Sequence, residues 1–285
     1  MIKNNVVAVI TNTGLILTTA TTGLACGDDA AAGRLEVRVY GEEFIESGIP
    51  ADVFEDGWKV SFRRFLVALS DVSAARGAAA PALTWEGQAV YDLARPTTGT
   101  GSPPGTLVTA KIVDGGVYDR VGYSIKPAGP GALAGPSVDP AAVAAMASAG
   151  ESMRVEGTGE KAGARIGFSW GFATNVRHRD CQGSAKVDGG EAKTEITIHG
   201  DHLFYDDLFA AAPNVSFGLI AASDQNGDGQ VTKDELTAKD ITGERRYQVG
   251  SEAITNLWAF VARQATTVGH IDGEGHCQIE PGGAR

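Results

Sequence analysis

The sequence predicts a mainly β protein: an antiparallel β-sandwich over residues 34–200, then a C-terminal helical segment over 201–285 containing one helix–loop–helix unit. Three observations carry this. Before Gly200, apolar and polar residues alternate with a period of two in several short runs, the pattern of strands that bury one face. Glycine is abundant, at 38 of 285 residues, and aromatic residues make up only 7%, which favours turns and short strands. After Gly200 the apolar spacing changes to that of helices.

The elements follow in order. Leu35, Val37 and Val39 alternate with Glu36, Arg38 and Tyr40, a first strand. The segment 57–69 is a second. Val60 and Phe62 share one parity, and Phe65, Val67 and Leu69 the other, so the phase slips at Arg63-Arg64 as a β-bulge would make it. Further strands are expected over 89–93, 107–113 and 117–126, with a Thr/Gly/Pro-rich loop over 96–105 between them. Asp139-Pro140 opens an Ala-rich helix to about Ala149, with Pro at its first position. Strand character returns over 152–157, 165–172 and 193–199. Asp201 can cap a turn holding Leu203, Phe204 and Leu208. The helix–loop–helix unit covers about 213–239. A last helix starts near Ser251, with Ile254, Leu257, Trp258 and Val261 in one stripe, and the tail from Gly269 is Gly-rich and irregular.

Hydrophobic content of 43% suffices for a core, and the formal net charge is -11. An acidic surface repels phosphate backbones, so nucleic-acid partners are excluded. The cysteines are Cys26, Cys181 and Cys277. The odd count is explained at the N-terminus. Lys3 is followed by an uncharged stretch from Val6 to Ala25, interrupted by Thr11, Asn12 and Thr13, which suits the apolar region of a signal peptide over 1–25. Thr22-Gly23-Leu24-Ala25-Cys26 resembles a bacterial lipobox, although Gly23 and Leu24 stand in exchanged order. The resemblance implies a lipidated Cys26, a short tether over 26–33, export to the cell envelope and a membrane as partner through the anchor; a further protein or ligand partner is unknown. An ordinary signal peptide beside a free Cys is the plainer alternative. With Cys26 lipidated, Cys181 and Cys277 form the candidate disulfide of an oxidising compartment.

Asp224-Gln-Asn226-Gly-Asp228-Gly229-Gln230-Val231-Thr232-Lys-Asp-Glu235 resembles the calcium loop of EF-hands. Ca²⁺ takes six to eight oxygen ligands. Asp224, Asn226 and Asp228 offer side-chain oxygens at the first, third and fifth positions. Gly229 permits the turn, and Gln230 offers its carbonyl. Thr232 acts through its hydroxyl or a water, and Glu235 closes the shell. Val231 is the apolar anchor that, in paired hands, joins a strand of the second hand. The sequence holds one such loop, so Val231 needs another partner. The favoured function is therefore a calcium-binding envelope lipoprotein with a structural or partner-binding role and no catalytic activity.

The alternative is a periplasmic copper or zinc protein. His199, His202, His270 and His276 form two groups that can supply imidazoles. His199 and His202 are three apart, so Gly200 must break the strand to bring both to one ion. The plainer reading sets His199 on a solvated face with Glu195 and Thr197, and Asp201-His202 at a helix start. A Cys181–Cys277 bond would bring His276 near His178. The run from Asp56-Gly57-Trp58 through Val60, Phe62, Phe65 and Leu69 to Ser70-Asp71-Val72 is similar to the methanobactin-associated (MbnP-like) periplasmic proteins. Gly116, Tyr118, Trp170 and His199-Gly200 extend the similarity in outline, over about Leu35–Gly200. It implies a β-sandwich and copper binding; the four-cysteine pattern of many relatives is absent. Enzyme readings find no nucleophile elbow, zinc-protease helix or phosphate loop. Cys181 beside His178 is explained more simply by oxidation, and Glu42-Glu43 and Asp206-Asp207 read as solvated acids. An unrecognised hydrolase is the weaker alternative.

Overall fold

The computed structural model of this chain describes residues 30–95 and 105–282. The signal peptide, Cys26, half of the tether and nearly all of the loop expected over 96–105 lie outside the described residues. The elements in chain order are β1 (Gly33–Gly41), α1 (Glu43–Glu46), β2 (Lys59–Ala75), β3 (Leu83–Asp92), β4 (Thr106–Val113), β5 (Gly116–Ile125) and β6 (Leu133–Ala134). There follow α2 (Pro140–Ala149), β7 (Met153–Lys161), β8 (Ala164–Phe172), β9 (Val176–Val187) and β10 (Glu191–Ile198), then a 3₁₀ turn (Asp201–Phe204). The C-terminal part holds α3 (Gly218–Ala221), β11 (Gln230–Val231), α4 (Lys233–Ala238), α5 (Leu257–Gln264), β12 (Gly269–Ile271) and β13 (Gln278–Pro281).

The protein is mainly β, as its alternating patterns predict. A four-stranded sheet runs β12-β10-β1-β4, and a larger sheet runs β11-β8-β7-β2-β5-β9-β13, with β3 paired to β2 and β6 paired to β3. Side chains from both sheets enter one core, including Leu35 and Val37 of β1, Phe65 of β2, Tyr118 of β5 and Trp170 of β8. The bulge expected at Arg63-Arg64 is present, as a register shift between Phe62 and Arg64 against β7. Asp139 caps α2 by accepting from the Ala141 amide at 2.9 Å, and Gly150 ends it at φ +67, where glycine has no steric penalty. Val143 and Met146 of α2 pack with Leu66, Ala68 and Val90 in a second, smaller core.

Four expectations are corrected. The sheets are mixed: β1 pairs with β10 in parallel, as β8 does with β11 and β3 with β6. β9 spans a stretch where no strand was expected, because the bulge at Arg179-Asp180 shifts the phase of its buried residues, one of which is His178. The last helix begins at Leu257, where Asn256 caps it by accepting from the Ala259 amide. The Gly-rich tail is not irregular throughout: β12 joins β10 and β13 joins β9. Cys181 of β9 and Cys277 are disulfide-bonded, 96 residues apart in sequence. No helix among the described residues is long and apolar enough to cross a membrane.

The parallel β1–β10 pairing positions the candidate site. Gly41 lies opposite Ile198, so both strands end on the same side of the molecule. Glu42 and His199, the next residue of each, therefore emerge together. The Glu42 amide donates to the Ile198 carbonyl at 3.1 Å, and the Gly200 amide donates to Glu42 Oε1 at 3.2 Å. β12 runs antiparallel along the other edge of β10 and sets His270 opposite Thr197.

Candidate metal centre

Three of the expected histidines converge from three elements. His199 follows β10, His202 sits in the 3₁₀ turn and His270 lies in β12. The ring centroids of His199 and His270 are 4.4 Å apart, those of His202 and His270 5.2 Å, and those of His199 and His202 5.4 Å. The chain leaves the strand for the 3₁₀ turn at Gly200, at φ -83, where a Cβ would lie 2.7 Å from the Ile45 side chain. His276 stands farther out, 6.4 Å from His270. The plainer reading of His199 is overturned: it is buried, as is Thr197 beside it. His178 is a core residue, stacked on Tyr123 at 4.4 Å, with both ring nitrogens buried and without partners.

Carboxylates complete the cluster. His199, Asp201 and His202 bring one ligand atom each within 4.8 Å of one another, and so do His199, His270 and Glu274. Asp201 Oδ2 accepts from the Tyr205 hydroxyl at 2.8 Å, while Oδ1 is buried without a partner. Glu42 Oε2 lies 3.4 Å from His199 Nδ1, and exposed Glu274 lies 4.0 Å from the same atom. Burial, reinforced by the charge of Asp201, holds the Glu42 carboxyl well above the usual carboxylate range. Glu42 is thus not a solvated acid; nor is Asp206, which is buried and accepts from the Asn214 amide.

Hydrogen bonds fix which nitrogens carry lone pairs. His199 Nε2 is 3.2 Å from the Gly273 carbonyl, which can only accept, so Nε2 carries a hydrogen and, in the neutral tautomer, Nδ1 is the nitrogen with the lone pair. The Thr267 hydroxyl donates to the Gln264 carbonyl at 2.8 Å, so at 3.0 Å it accepts from His202 Nδ1. That leaves the lone pair of His202 on Nε2. Burial, then the neighbouring imidazole of His199, lowers His202 to about 3, and burial, then His199 and His202, lowers His270 to about 4. These two rings are therefore neutral at physiological pH, the form in which imidazole binds metal. His270 Nδ1 is buried with no partner. His199 and His202 are thus each oriented through one ring nitrogen, the usual support of a His-ligated ion, whereas His270 has no such partner.

The second candidate, the loop from Asp224 to Glu235, lies on the edge of the larger sheet. Asp224 accepts from the amides of Gly227, Asp228 and Gly229, and Asn226 and Asp228 each accept an amide two residues on. Gly227 and Gly229 have φ of +71 and +76, which fits glycine. Thr232 caps α4 in a capping box with Glu235, and Glu235 Oε1 accepts from the Gln225 amide at 3.2 Å. Backbone hydrogen bonds to Thr232 lower the Glu235 pKa. The partner that Val231 required is β8: Gln230 and Val231 pair with Gly167 and Phe168, and buried Trp170 donates its indole N–H to the Val231 carbonyl at 3.0 Å. The incoming helix, α3, is a single turn of four residues. The donors suit Ca²⁺, being hard oxygens, but Asp224, Asp228 and Glu235 are not among the trios that come within 4.8 Å.

Glu42, Asp201, Glu274 and Thr267 are the site residues that sequence reasoning missed. Only Glu274 and Asp201 carried a signal, as acids within five residues of a histidine. No family model matches the chain, and no curated protein or solved structure matches it either.

Proposed function

We propose that this chain is a non-enzymatic metal-binding protein of the cell envelope, anchored through a lipid on Cys26, whose main site takes Cu or Zn at His199, His202 and His270. The observation that carries this reading is the convergence of those three imidazoles, from three elements, beside Asp201 and Glu274. Imidazole with carboxylate is the ligand chemistry of zinc and of copper, and thiolate is absent because both nearby cysteines are oxidised. His199 and His202 would offer Nδ1 and Nε2, with Gly273 and Thr267 as orienting partners. The similarity to the methanobactin-associated proteins points to copper. The test is metal analysis and direct titration of the purified protein with Cu²⁺ and Zn²⁺. Near-stoichiometric uptake, lost in His199→Ala and His270→Ala, is expected. Unchanged uptake after all three histidines are replaced would refute the site.

The second reading, compatible with the first, is a Ca²⁺ ion in the loop from Asp224 to Glu235. It is favoured by the complete set of oxygen donors and by the seating of Val231 on β8, which substitutes for the missing second hand. Three carboxylates without a cation among them need a counter-ion to be drawn together. Ca²⁺ at about a hundred times its Kd would stabilise the fold by roughly 2.7 kcal/mol. Thermal melts with and without Ca²⁺ test this. Glu235→Gln should abolish the calcium-induced shift, and Lys233→Gln should keep it, since that ammonium sits over the Trp258 ring at 5.3 Å. Equal shifts in both variants would mean that the ion binds elsewhere.

A further inference from the structure

On an acidic molecule of net charge -11, the outer face of β5 and β9 holds a concave site lined by three arginines. A cavity of about 290 Å³ is bounded by Arg120, Arg177, Arg179, Asp180, Ser73 and Gly122, and walled by the turn over 77–81. A β-bulge builds it. Val121 pairs with Cys181 and Tyr123 with His178, so Arg179 and Asp180 together face the single Gly122. Asp180 takes the positive φ of +50 that such a bulge imposes. Gly122 keeps the floor open, because a Cβ there would lie 2.9 Å from Ser73 Oγ.

The donors outnumber the acceptors. Asp180 is the one carboxylate in the lining; it takes Arg120 at 2.9 Å and stands 4.0 Å from Arg179. Arg179 also meets Glu280 at 3.3 Å, yet its Nε is buried without a partner. Arg177 has no ion-pair partner among the described residues. A guanidinium is a planar fork of donors that matches phosphate oxygens, and a buried N–H without an acceptor is costly. An oxyanion with several acceptor oxygens and more than one charge answers the whole set: it satisfies Arg179 Nε, engages Arg177 and reaches the Ser73 hydroxyl.

We infer that this pocket binds a phosphate group, through Arg177 and Arg179 with Arg120 and Ser73 in support. Its position suggests how such a group would arrive. Arg76, next to the turn over 77–81, donates to the Gly115 carbonyl at 2.6 Å. Ala30 packs against Gly115, only four residues beyond Cys26. If Cys26 is lipidated, a phospholipid headgroup lies within reach; a soluble phosphate compound is the other source. The phosphate chemistry itself rests on neither the anchor nor the metal site.

The test uses the full chain with Cys26→Ser, so that no anchor confounds it. Inorganic phosphate is titrated and followed by the Arg Nε–H resonances, and sedimentation with phosphatidylglycerol and phosphatidylcholine vesicles is compared. Saturable phosphate binding should shift the Arg179 signal. Losing one charge-assisted contact should weaken binding about tenfold or more in Arg177→Gln, an exposed position where the fold is not at risk. Arg179→Gln should weaken it as well. Selective sedimentation with phosphatidylglycerol, lost in the Arg177→Gln/Arg179→Gln variant, identifies a headgroup; phosphate binding without sedimentation identifies a soluble ligand. Either supports the pocket. Absence of saturable phosphate binding, equal binding in the double variant, or acetate binding as tightly as phosphate would overturn it.

Discussion

Replacing both Cys181 and Cys277 with alanine should cost stability while leaving the histidine cluster able to bind metal. The bond closes a loop with a sequence separation of 96 residues. In the chain-entropy model, closing a loop of that length restricts the unfolded chain by about 4.7 kcal/mol at 25 °C. Native order around the bond has an independent source. Asp272 accepts from the Glu195 and Ser184 amides and from the Thr194 hydroxyl, and so fixes the turn between β12 and Cys277 to β10 and β9. The loss should therefore act mainly through the unfolded state. The assay is urea denaturation of wild type and the double variant under non-reducing conditions, with zinc or copper titration of each. A loss of about 4–5 kcal/mol with unchanged metal stoichiometry is expected. A loss below about 1 kcal/mol would refute the loop-entropy argument. Loss of metal uptake at full stability would instead show that the bond, not Asp272, orients the His270 side of the cluster.

Three further outcomes follow from the same geometry. In the metal-free protein the contribution of His202 and His270 to stability should be lost as pH falls below about 6.5: they stay neutral in the folded protein but protonate once unfolded, whereas the raised carboxyl of Glu42 acts in the opposite sense. Acidification from pH 7.5 to 5 should thus lower the melting temperature of wild type relative to that of the His202→Gln/His270→Gln variant. Trp170→Phe should leave the buried Val231 carbonyl without its donor, costing about 1–3 kcal/mol in urea denaturation and weakening Ca²⁺ binding by unseating the loop. Gly159→Ala places a Cβ 2.3 Å from the ring of fully buried Phe217, which Trp58, Phe168 and Phe204 hold from other sides, so overpacking should cost about 1–3 kcal/mol by the same measurement.

Much of the fold was legible because one-sided burial writes itself into a strand with period two. β1 reads directly from Leu35, Val37 and Val39, and the parity slip at Arg63-Arg64 locates a bulge to the residue. β9 was not legible for a reason of the same kind. Its buried positions Val176, His178, Cys181, Ala185 and Val187 are thrown out of phase by the bulge at Asp180, and one of the five is a histidine and another a cysteine. The loop from Asp224 to Glu235 was legible as a motif, since its twelve residues are consecutive. Its docking was not, because β8 lies about sixty residues away and nothing in Gly167 or Phe168 announces a parallel partner.

The histidine cluster depends on information of a different order. His199 and His202 were visible as neighbours, but whether they share a face turned on the backbone leaving the strand at Gly200, where φ of -83 is open to any residue and so leaves no mark in sequence. His270 enters only because β12 pairs with β10, and Glu42 only because β1 and β10 run parallel, so that their ends coincide. An antiparallel β1 would have carried Glu42 to the far end of the sheet and left His199 without its buried carboxyl neighbour. The direction of one strand pair therefore decides whether these groups form a centre or remain scattered polar residues, and local sequence does not encode that direction. Thr267 and Gly273, which orient His202 and His199, act only through one hydrogen bond each to a ring nitrogen. Such a role needs an oxygen at the right distance rather than a particular residue type, so it leaves almost no mark in sequence. The centre was thus readable as a set of candidate ligands, while its ligand geometry belongs to the topology.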